Sequence, residues 1–200
     1  MGTRVINIGL FGGTFDPVHI GHMIWAERVR ELLGLEKVIF MPAGSPPHKH
    51  LPAVSDRRLR YQMVEAAISG NPYFELSPLE VKARRISFTV ETLTELRRLY
   101  PDPDYELFLI IGADSLLDLE NWKSPDRLFD FARVVVMNRP GFTLDQVESR
   151  YRRKIIFVEE PLIGISSTDI RRRVRNGDSI RYLVPENVEK FIREHGLYQS

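Results

Sequence analysis

Two histidines stand three residues apart in a glycine-rich stretch, GLFGGTFDPVHIGH, that runs from Gly9 to His22. Glycines between an apolar run and an amphipathic segment open the backbone to a phosphate group. The imidazoles of His19 and His22 could instead bind a metal ion, but a metal site needs a third ligand, and the sequence has no cysteine. Asp16 could supply that ligand, although Pro17 favours a turn there. The pattern therefore favours phosphate binding over metal binding.

The segment after the glycines has the periodicity of a helix, predicted over about Val18 to Gly34. At 100° per residue, one side of this helix is apolar: Trp25, Ala26, Val29, Leu32 and Leu33. His22 lies in the middle of that arc, and His19 lies about 60° away if the helix includes it. Both imidazoles are then predicted to face the end of a sheet, where the helix dipole favours an anion. Gly21 leaves room for the ligand.

A second stretch with anion-binding chemistry, GISSTDIRRRVRNGD, lies near the other end of the chain. It begins with three residues that cap helices well: Ser166, Ser167 and Thr168. Arg171 follows in the first turn and shares a face with Arg175, whereas Arg172 and Arg173 point elsewhere. A basic surface helix is the ordinary interpretation of such a charge run. Hydroxyls, free amides and an arginine in one turn nevertheless form a good anion clamp.

The elements that would position these residues alternate between strands and helices. Apolar strands are predicted at Val5–Phe11, Lys37–Ala43, near Phe74–Ser77, and at Tyr105–Gly112, Arg133–Arg139 and Lys154–Glu159. Further helices are predicted near Ser55–Ser69, Ser87–Tyr100, Ser166–Asn176 and Pro185–His195. This alternation predicts an α/β fold, a Rossmann-like doubly wound parallel sheet with helices on both faces. Such sheets bind ligands beyond the carboxyl ends of their strands.

Length and composition limit the class of protein. Two hundred residues suit a single domain over 1–200, with the helices from about 166 onward packed on its core. A formal net charge of +1 gives no general attraction to nucleic acid or to a membrane. No transmembrane run or signal peptide is evident, so a cytoplasmic protein is expected. The oligomeric state cannot be predicted.

The first stretch, GGTFDPVHIGH, resembles the signature of the HxGH nucleotidyltransferases, in which His19 and His22 would contact the ATP phosphates. The second resembles the ISSTxIR motif of the same family, which holds the β- and γ-phosphates and includes Arg171. The resemblance implies these ATP-binding residues: Gly12, Gly13, Thr14, Phe15, Gly21, Ser166, Ser167 and Thr168. Class I aminoacyl-tRNA synthetases share the His-Ile-Gly-His element, but this chain leaves no room for an anticodon-binding domain.

Three other stretches match the subgroup that acts on nicotinate mononucleotide. In IGADSLLDLENW, the resemblance places Gly112 and Asp114 on the ATP ribose and Trp122 under the pyridine ring. From the residues alone, a turn capped by Asp114 is an equally good explanation, and a tryptophan in this polar context is more often a surface packing residue than a platform for a ligand. In RRISFTVETL, Thr89 would help to receive the nicotinate carboxylate, and in PAGSPPHK, Lys49 would lie near the acceptor phosphate.

These features together predict adenylyl transfer from ATP to nicotinate mononucleotide, which gives deamido-NAD and pyrophosphate. Mg²⁺ is expected to be held mainly by the ATP phosphates, because no carboxylate cage is evident in the sequence. Another small nucleotidyltransferase, such as one acting on phosphopantetheine, is the nearest alternative, and the stretches containing Thr89 and Trp122 argue against it. A nucleotide sensor without catalytic activity is the alternative from a different class.

Overall fold

The structure is a computed structural model that describes residues 4–44, 54–83, 86–159 and 161–199. These residues form six strands: β1 (Ile6–Gly13), β2 (Lys37–Pro42), β3 (Phe74–Leu76), β4 (Tyr105–Gly112), β5 (Arg133–Met137) and β6 (Ile155–Val158). The helices are α1 (Ile20–Leu33), α2 (Arg57–Ile68), α3 (Leu79–Lys82), α4 (Thr89–Leu99), α5 (Ala113–Leu117), α6 (Leu128–Phe131), α7 (Ser149–Arg152), α8 (Ser167–Asn176) and α9 (Glu186–Glu194). Short 3₁₀ turns occur at Leu119–Asn121, Pro125–Arg127 and Leu144–Gln146.

All six strands form one parallel sheet in the order β3-β2-β1-β4-β5-β6. The order along the sheet reverses between β1 and β4, which pair so that Phe11 lies opposite Ile110. A doubly wound sheet opens a crevice at this reversal, beyond the carboxyl ends of the strands. The predicted fold class is confirmed, and the glycine-rich stretch that follows β1 lies at that crevice.

The alternation of side chains along each strand divides the core into two layers. In β4, Phe108 and Ile110 belong to the layer under α1, α2, α8 and α9, whereas Leu107, Leu109 and Ile111 belong to the layer under α4 to α7. The first layer also contains three buried residues of the later helices: Ile170, Val188 and Ile192. Helices on both faces therefore bury the central strands, which explains why those strands are apolar throughout.

Several predicted boundaries are wrong by two residues, among them the start of the first helix. This helix begins at Ile20 rather than near Val18, because His19 has extended backbone angles, φ −143° and ψ 169°, and acts as the N-cap. Similarly, α4 begins at Thr89 rather than at Ser87, with Phe88 extended before it. The four-residue helices α3 and α7 were not predicted, because one turn is too short to show helical periodicity.

None of the helices in the described ranges is long and apolar enough to cross a membrane.

Candidate active site

The loop between β1 and α1, residues 14–19, is hereafter called the phosphate loop. Phe15 adopts the left-handed conformation at φ +50°, and the peptide bond between Asp16 and Pro17 is cis. A side chain on Gly13 would come within 2.9 Å of the Phe15 ring, so glycine is needed where that ring packs. A side chain on Gly12 would meet nothing within 4 Å, so packing within the protein does not require glycine there.

Arg60 of α2 fixes the phosphate loop from one side. Its guanidinium is 1% exposed and donates hydrogen bonds to three backbone carbonyls, those of Thr14 at 2.7 Å, Ser55 at 3.0 Å and Gly44 at 3.1 Å. The planar fork of arginine suits a set of fixed acceptors. Sequence reasoning missed Arg60, because one basic residue in a polar helix carries no signal of burial.

The start of α8 fixes the phosphate loop from the other side. The Ser167 hydroxyl donates to the carbonyl of Pro17 at 2.9 Å, and Arg171 Nη1 donates to the carbonyl of Asp16 at 2.6 Å. Arg171 Nη2 also lies 3.3 Å from Thr168 Oγ1. Two stretches separated by about 150 residues in the sequence therefore meet at one end of the sheet.

The N-terminus of α8 follows the predicted capping pattern. Ser166 is the N-cap, and its hydroxyl accepts the backbone N–H of Asp169 at 3.1 Å. The carboxylate of Asp169 pairs with Arg172 and, at 3.0 Å, with Arg173. These two arginines are thus engaged away from the phosphate loop, and Arg171 alone of the three reaches it.

His19 and His22 form a stacked pair, with ring centroids 3.6 Å apart and an angle of 27° between the rings. The backbone N–H of His19 donates to Nδ1 of His22 at 3.1 Å. This bond places the proton of a neutral His22 ring on Nε2, which is left as a donor. A side chain on Gly21 would approach the His19 ring to 3.1 Å, so this glycine makes room for the histidine itself. This packing accounts for Gly21 without a ligand, and the predicted contact of Gly21 with ATP stays a prediction.

Both imidazoles are held in the neutral form. Burial, followed by the positive charge of Arg139, lowers the pKa of His19 from 6.5 to about 3. The pKa of His22 is also lowered well below 6.5, by burial first and then by His19 and Arg139. Neither ring nitrogen of His19 has a hydrogen-bond partner among the residues that the structure describes. Buried polar atoms normally have hydrogen-bond partners, so the N–H of the His19 ring lacks an acceptor among these residues.

Arg139 is the second functional residue that sequence reasoning missed. It follows β5 at the same end of the sheet, where its Nε lies 3.3 Å from Asp114 Oδ1 and its Cζ lies 5.0 Å from the centre of the Trp25 ring. A signal was present, because Arg139 ends a predicted apolar strand at the edge where ligands bind. The positive charge beside two neutral imidazoles makes this region attractive to an anion.

Gly112 and Asp114 stand at the end of β4, next to the end of β1. Gly112 is the N-cap of α5, and Asp114 lies within the first turn, so the alternative that Asp114 itself caps the helix is wrong. A side chain on Gly112 would come 2.5 Å from Asp114 Oδ1, so any larger residue there would make the Asp114 carboxylate move. The Asp114 side chain is 65% exposed and remains available to a ligand at the crevice.

The residues predicted to bind the acceptor come from α4 and from the segment after α5. Thr89 is the first residue of α4, and Trp122 follows the 3₁₀ turn; both are half-buried. Lys123 joins the two elements, because its Nζ pairs with Glu91 at 2.6 Å and lies 4.5 Å from the centre of the Phe88 ring. Thr89 and Trp122 therefore lie on elements in direct contact.

The two remaining expectations concern Lys49 and a metal site. Lys49 lies outside the described residues. Within the described ranges, no three His, Asp or Glu side chains lie close enough to hold a metal ion together.

Comparison with known proteins relates the chain to enzymes of nucleotide chemistry. Residues 10–173 match the sequence family described as cytidylyltransferase-like. The chain is 42% identical over 197 residues to a protein of Clostridium tetani, with 95% of this chain and 98% of that protein covered. It is 45% identical over 204 residues to a protein of Moorella thermoacetica, with 98% and 94% covered. Both carry the name "Probable nicotinate-nucleotide adenylyltransferase".

Solved structures share the fold. Plasmodium falciparum nicotinic acid mononucleotide adenylyltransferase complexed with NaAD superposes with a TM-score of 0.80 at 17% identity, covering 96% of this chain and 97% of that chain. The same enzyme complexed with APC gives a TM-score of 0.78. The chain therefore belongs to the cytidylyltransferase-like family, on the branch of the nicotinate-nucleotide adenylyltransferases.

Proposed function

We propose that this enzyme transfers the adenylyl group of ATP to nicotinate mononucleotide, releasing pyrophosphate and forming deamido-NAD, a step of NAD biosynthesis. The observation that carries the proposal is the stacked pair of neutral histidines beside Arg139, with both ring nitrogens of His19 unpartnered among the described residues. The names of the relatives supply the substrate class.

The reaction needs alignment and charge stabilisation more than acid–base chemistry. An oxygen of the acceptor phosphate, already ionised at neutral pH, attacks the α-phosphorus of ATP in line with the leaving pyrophosphate. The P–O bond to the new acceptor forms as the bond to the β-phosphate oxygen breaks, and no proton has to be removed from the nucleophile. The protein must fix the reacting atoms and stabilise the negative charge on the phosphoryl oxygens.

His19 and His22 are the proposed donors to the reacting phosphates. A neutral imidazole donates one N–H, and a nearby phosphate favours uptake of a second proton because opposite charge raises the pKa of a histidine. Arg171 is the proposed donor to the β- and γ-phosphates, together with the start of α8 at Ser166, Ser167 and Thr168. Its contact with the Asp16 carbonyl holds that guanidinium beside the phosphate loop.

The remainder of ATP is assigned to the crevice between β1 and β4. No packing contact within the protein requires glycine at position 12, so the proposed role of Gly12 is to give the phosphates access to the backbone. Gly13, Thr14, Phe15 and Gly21 shape the phosphate loop around them. Asp114 and Gly112 would contact the ribose. Arg139, whose Nε lies 3.3 Å from the exposed Asp114 carboxylate, is added as a nucleotide contact because its charge lies beside the histidine pair.

Thr89, Trp122 and Lys49 are the proposed acceptor-binding residues. The N-terminus of α4 favours the nicotinate carboxylate through its dipole and free amides, and the indole would stack on the pyridine ring. Mg²⁺ would enter as the ATP complex and neutralise charge on the phosphates. Because these substrates are metabolites of the cell interior, a cytoplasmic location is part of the proposal.

One assay separates the candidate functions. The purified protein is incubated with MgATP and, in parallel, with nicotinate mononucleotide, nicotinamide mononucleotide or phosphopantetheine, and pyrophosphate release is followed. The proposal expects release with nicotinate mononucleotide together with a dinucleotide product. Release only with phosphopantetheine would assign the nearest alternative activity, and ATP binding without release from any acceptor would assign a sensor.

A further inference from the structure

Tyr198, after the last helix, contacts the phosphate loop. Its hydroxyl donates a hydrogen bond of 2.6 Å to Oδ1 of Asp16, a residue 182 positions earlier in the chain. Asp16 is 3% exposed, and its other carboxylate oxygen, Oδ2, accepts the backbone N–H of Ser55 at 3.2 Å. A buried carboxylate is costly unless both oxygens have partners, so these two donors are what allow Asp16 to be buried.

The end of α9 is shaped to bring Tyr198 to this place. Gly196 adopts the left-handed conformation at φ +58°, and its N–H donates to the carbonyl of Arg193 at 3.3 Å. The N–H of Leu197 donates to the carbonyl of Ile192 at 3.0 Å. This pair of bonds is a Schellman motif, which ends the helix and turns the chain back. Tyr198 follows directly and crosses α2, where its hydroxyl lies 3.9 Å from the sulfur of Met63.

The environment keeps the Tyr198 hydroxyl protonated. Burial, and then the negative charge of Asp16, raise the pKa of the phenol above its ordinary value. The hydroxyl is therefore a donor throughout the pH range in which the enzyme would work. A bond from a hydroxyl to a carboxylate is charge-assisted and stronger than a bond between neutral groups.

Asp16 connects this bond to the proposed catalytic groups. Its backbone carbonyl accepts Arg171 Nη1, and the next residue, Pro17, accepts Ser167. Two residues further along, His19 begins the stacked pair. A displacement of the Asp16 side chain would therefore move the backbone that positions both Arg171 and the histidines.

We propose that Tyr198 is a positioning residue for adenylyl transfer: through its bond to Asp16 it holds the phosphate loop in the conformation in which His19, His22 and Arg171 act on the reacting phosphates. This inference rests on the proposed function. Tyr198 itself touches none of the groups proposed to react. Its effect should fall on the chemical step, since the ribose contacts proposed at β4 do not involve the phosphate loop.

The test is the Tyr198→Phe variant, which keeps the ring and removes only the donor, with Tyr182→Phe as the matched control because Tyr182 is 84% exposed. We expect kcat at saturating substrates to fall about tenfold, the scale of losing one hydrogen bond to a charged group. The KM for ATP should change less than about threefold, because ground-state binding would be kept. A kcat equal to that of Tyr182→Phe would overturn the proposal, whatever happens to the melting temperature.

A double-mutant cycle tests whether the effect passes through Asp16. In an Asp16→Ala background, which has no side-chain acceptor for the Tyr198 hydroxyl, Tyr198→Phe should cause less than about a twofold further loss of kcat, because interacting residues are not additive. Losses that multiply would mean that the two residues act separately, and the proposal would fail.

Amide hydrogen exchange supplies a readout that does not depend on activity. The amide of Ser55, which donates to Asp16, should exchange about tenfold faster in Tyr198→Phe than in Tyr182→Phe if the carboxylate is no longer held. Equal exchange would overturn the proposal. If the wild-type protein released no pyrophosphate from any acceptor, the proposed function would fail, whereas this measurement would still decide whether Tyr198 orders the loop.

Discussion

His22 accepts a hydrogen bond of 3.1 Å from the backbone N–H of His19, while the two imidazole rings stack 3.6 Å apart. One histidine thus sets the tautomer of the other, leaving the His22 Nε2–H as a donor. Burial and the positive charge of Arg139 keep both rings neutral. Each neutral ring carries one N–H that can donate a hydrogen bond to a ligand. Because the rings stack and are joined by this bond, their contributions are coupled, and each single substitution also changes the surroundings of the other ring.

His22→Ala should lower kcat by about 10²–10³-fold, as for the loss of an oxyanion donor. The KM for ATP should change much less, because the donor would act mainly in the transition state. Steady-state kinetics with MgATP and nicotinate mononucleotide measure both constants. His195→Ala is the control, since His195 is exposed at the end of α9. Near-normal kcat in His22→Ala would exclude a role in the reaction, and stoichiometric bound zinc in the wild type would revive the metal interpretation.

Arg171→Lys should impair use of ATP although it keeps the charge. Lysine cannot contact both the Asp16 carbonyl and Thr168 Oγ1 as the guanidinium does. We expect kcat/KM for ATP to fall at least about tenfold, because two hydrogen bonds are disturbed. Arg172→Lys is the matched control, since the Arg172 side chain is 68% exposed and pairs with Asp169. Equal behaviour of the two variants would contradict the clamp assignment.

Stability should decrease in mild acid because of His19. An imidazole in the unfolded chain takes up a proton near pH 6.5, whereas folded His19 does so only near about pH 3. Between these values the unfolded state binds more protons, so the free energy of unfolding falls as the pH is lowered. The contribution of His19 should be about 1–2 kcal/mol between pH 7 and pH 5, measured by urea unfolding at both values.

The matched variants for this pH effect are His19→Asn and His195→Asn. The first should lose part of the dependence on pH, and the second, at an exposed position, should keep all of it. If His19→Asn showed the same acid sensitivity as the wild type, the buried neutral histidine would not be its source.

Nicotinate mononucleotide should be preferred over nicotinamide mononucleotide. The amides and dipole at the start of α4 favour a carboxylate and penalise a carboxamide whose NH₂ must face them. A preference of about 10²-fold needs only about 2.7 kcal/mol, within reach of one or two charge-assisted hydrogen bonds. The ratio of kcat/KM for the two mononucleotides is the measurement. Equal values, or a preference for the amide, would leave only the broader nucleotidyltransferase assignment.

Trp122→Ala should weaken acceptor binding without affecting ATP binding. The residue is half-buried and packs against the outside of the core rather than within the sheet, so its removal should leave the fold intact. We expect the KM for nicotinate mononucleotide to rise about tenfold, from the loss of an aromatic stack. A rise in the KM for ATP instead would place the indole on the other substrate.

The sheet was predictable because its information is local. Each buried strand is a continuous run of apolar residues, as around Phe11 and Ile110. This pattern can be recognised without knowing which strands pair. The order of the strands is not determined by that pattern, because right-handed crossovers are compatible with more than one order. The structure supplies the order and places the histidine stretch at the reversal. His19, His22 and Arg171 could be predicted as anion-binding residues because residue type and spacing pointed to one anion, and the structure brings their two stretches together.

What sequence reasoning missed depends on contacts between distant segments. Arg60 looks like an ordinary basic residue of a polar helix, yet it is 1% exposed. Arg139 is the last residue of the predicted fifth strand, and the apolar run before it indicates a strand rather than a binding residue. The bond between Tyr198 and Asp16 joins opposite ends of the chain, and no periodicity in either segment indicates it. Whether a polar side chain is buried depends on the partner that it meets in the fold, and a single sequence does not indicate which distant residues become partners.

The Arg60 guanidinium has a consequence for how this region tolerates mutation. The carbonyls of Thr14, Gly44 and Ser55 are all held by this one side chain. Since the three segments share a single buried donor group, its loss would release all three at once and leave three buried acceptors without that donor. Position 60 is therefore expected to tolerate no other residue, although the residue is separated along the sequence from each of the motifs that predict the site.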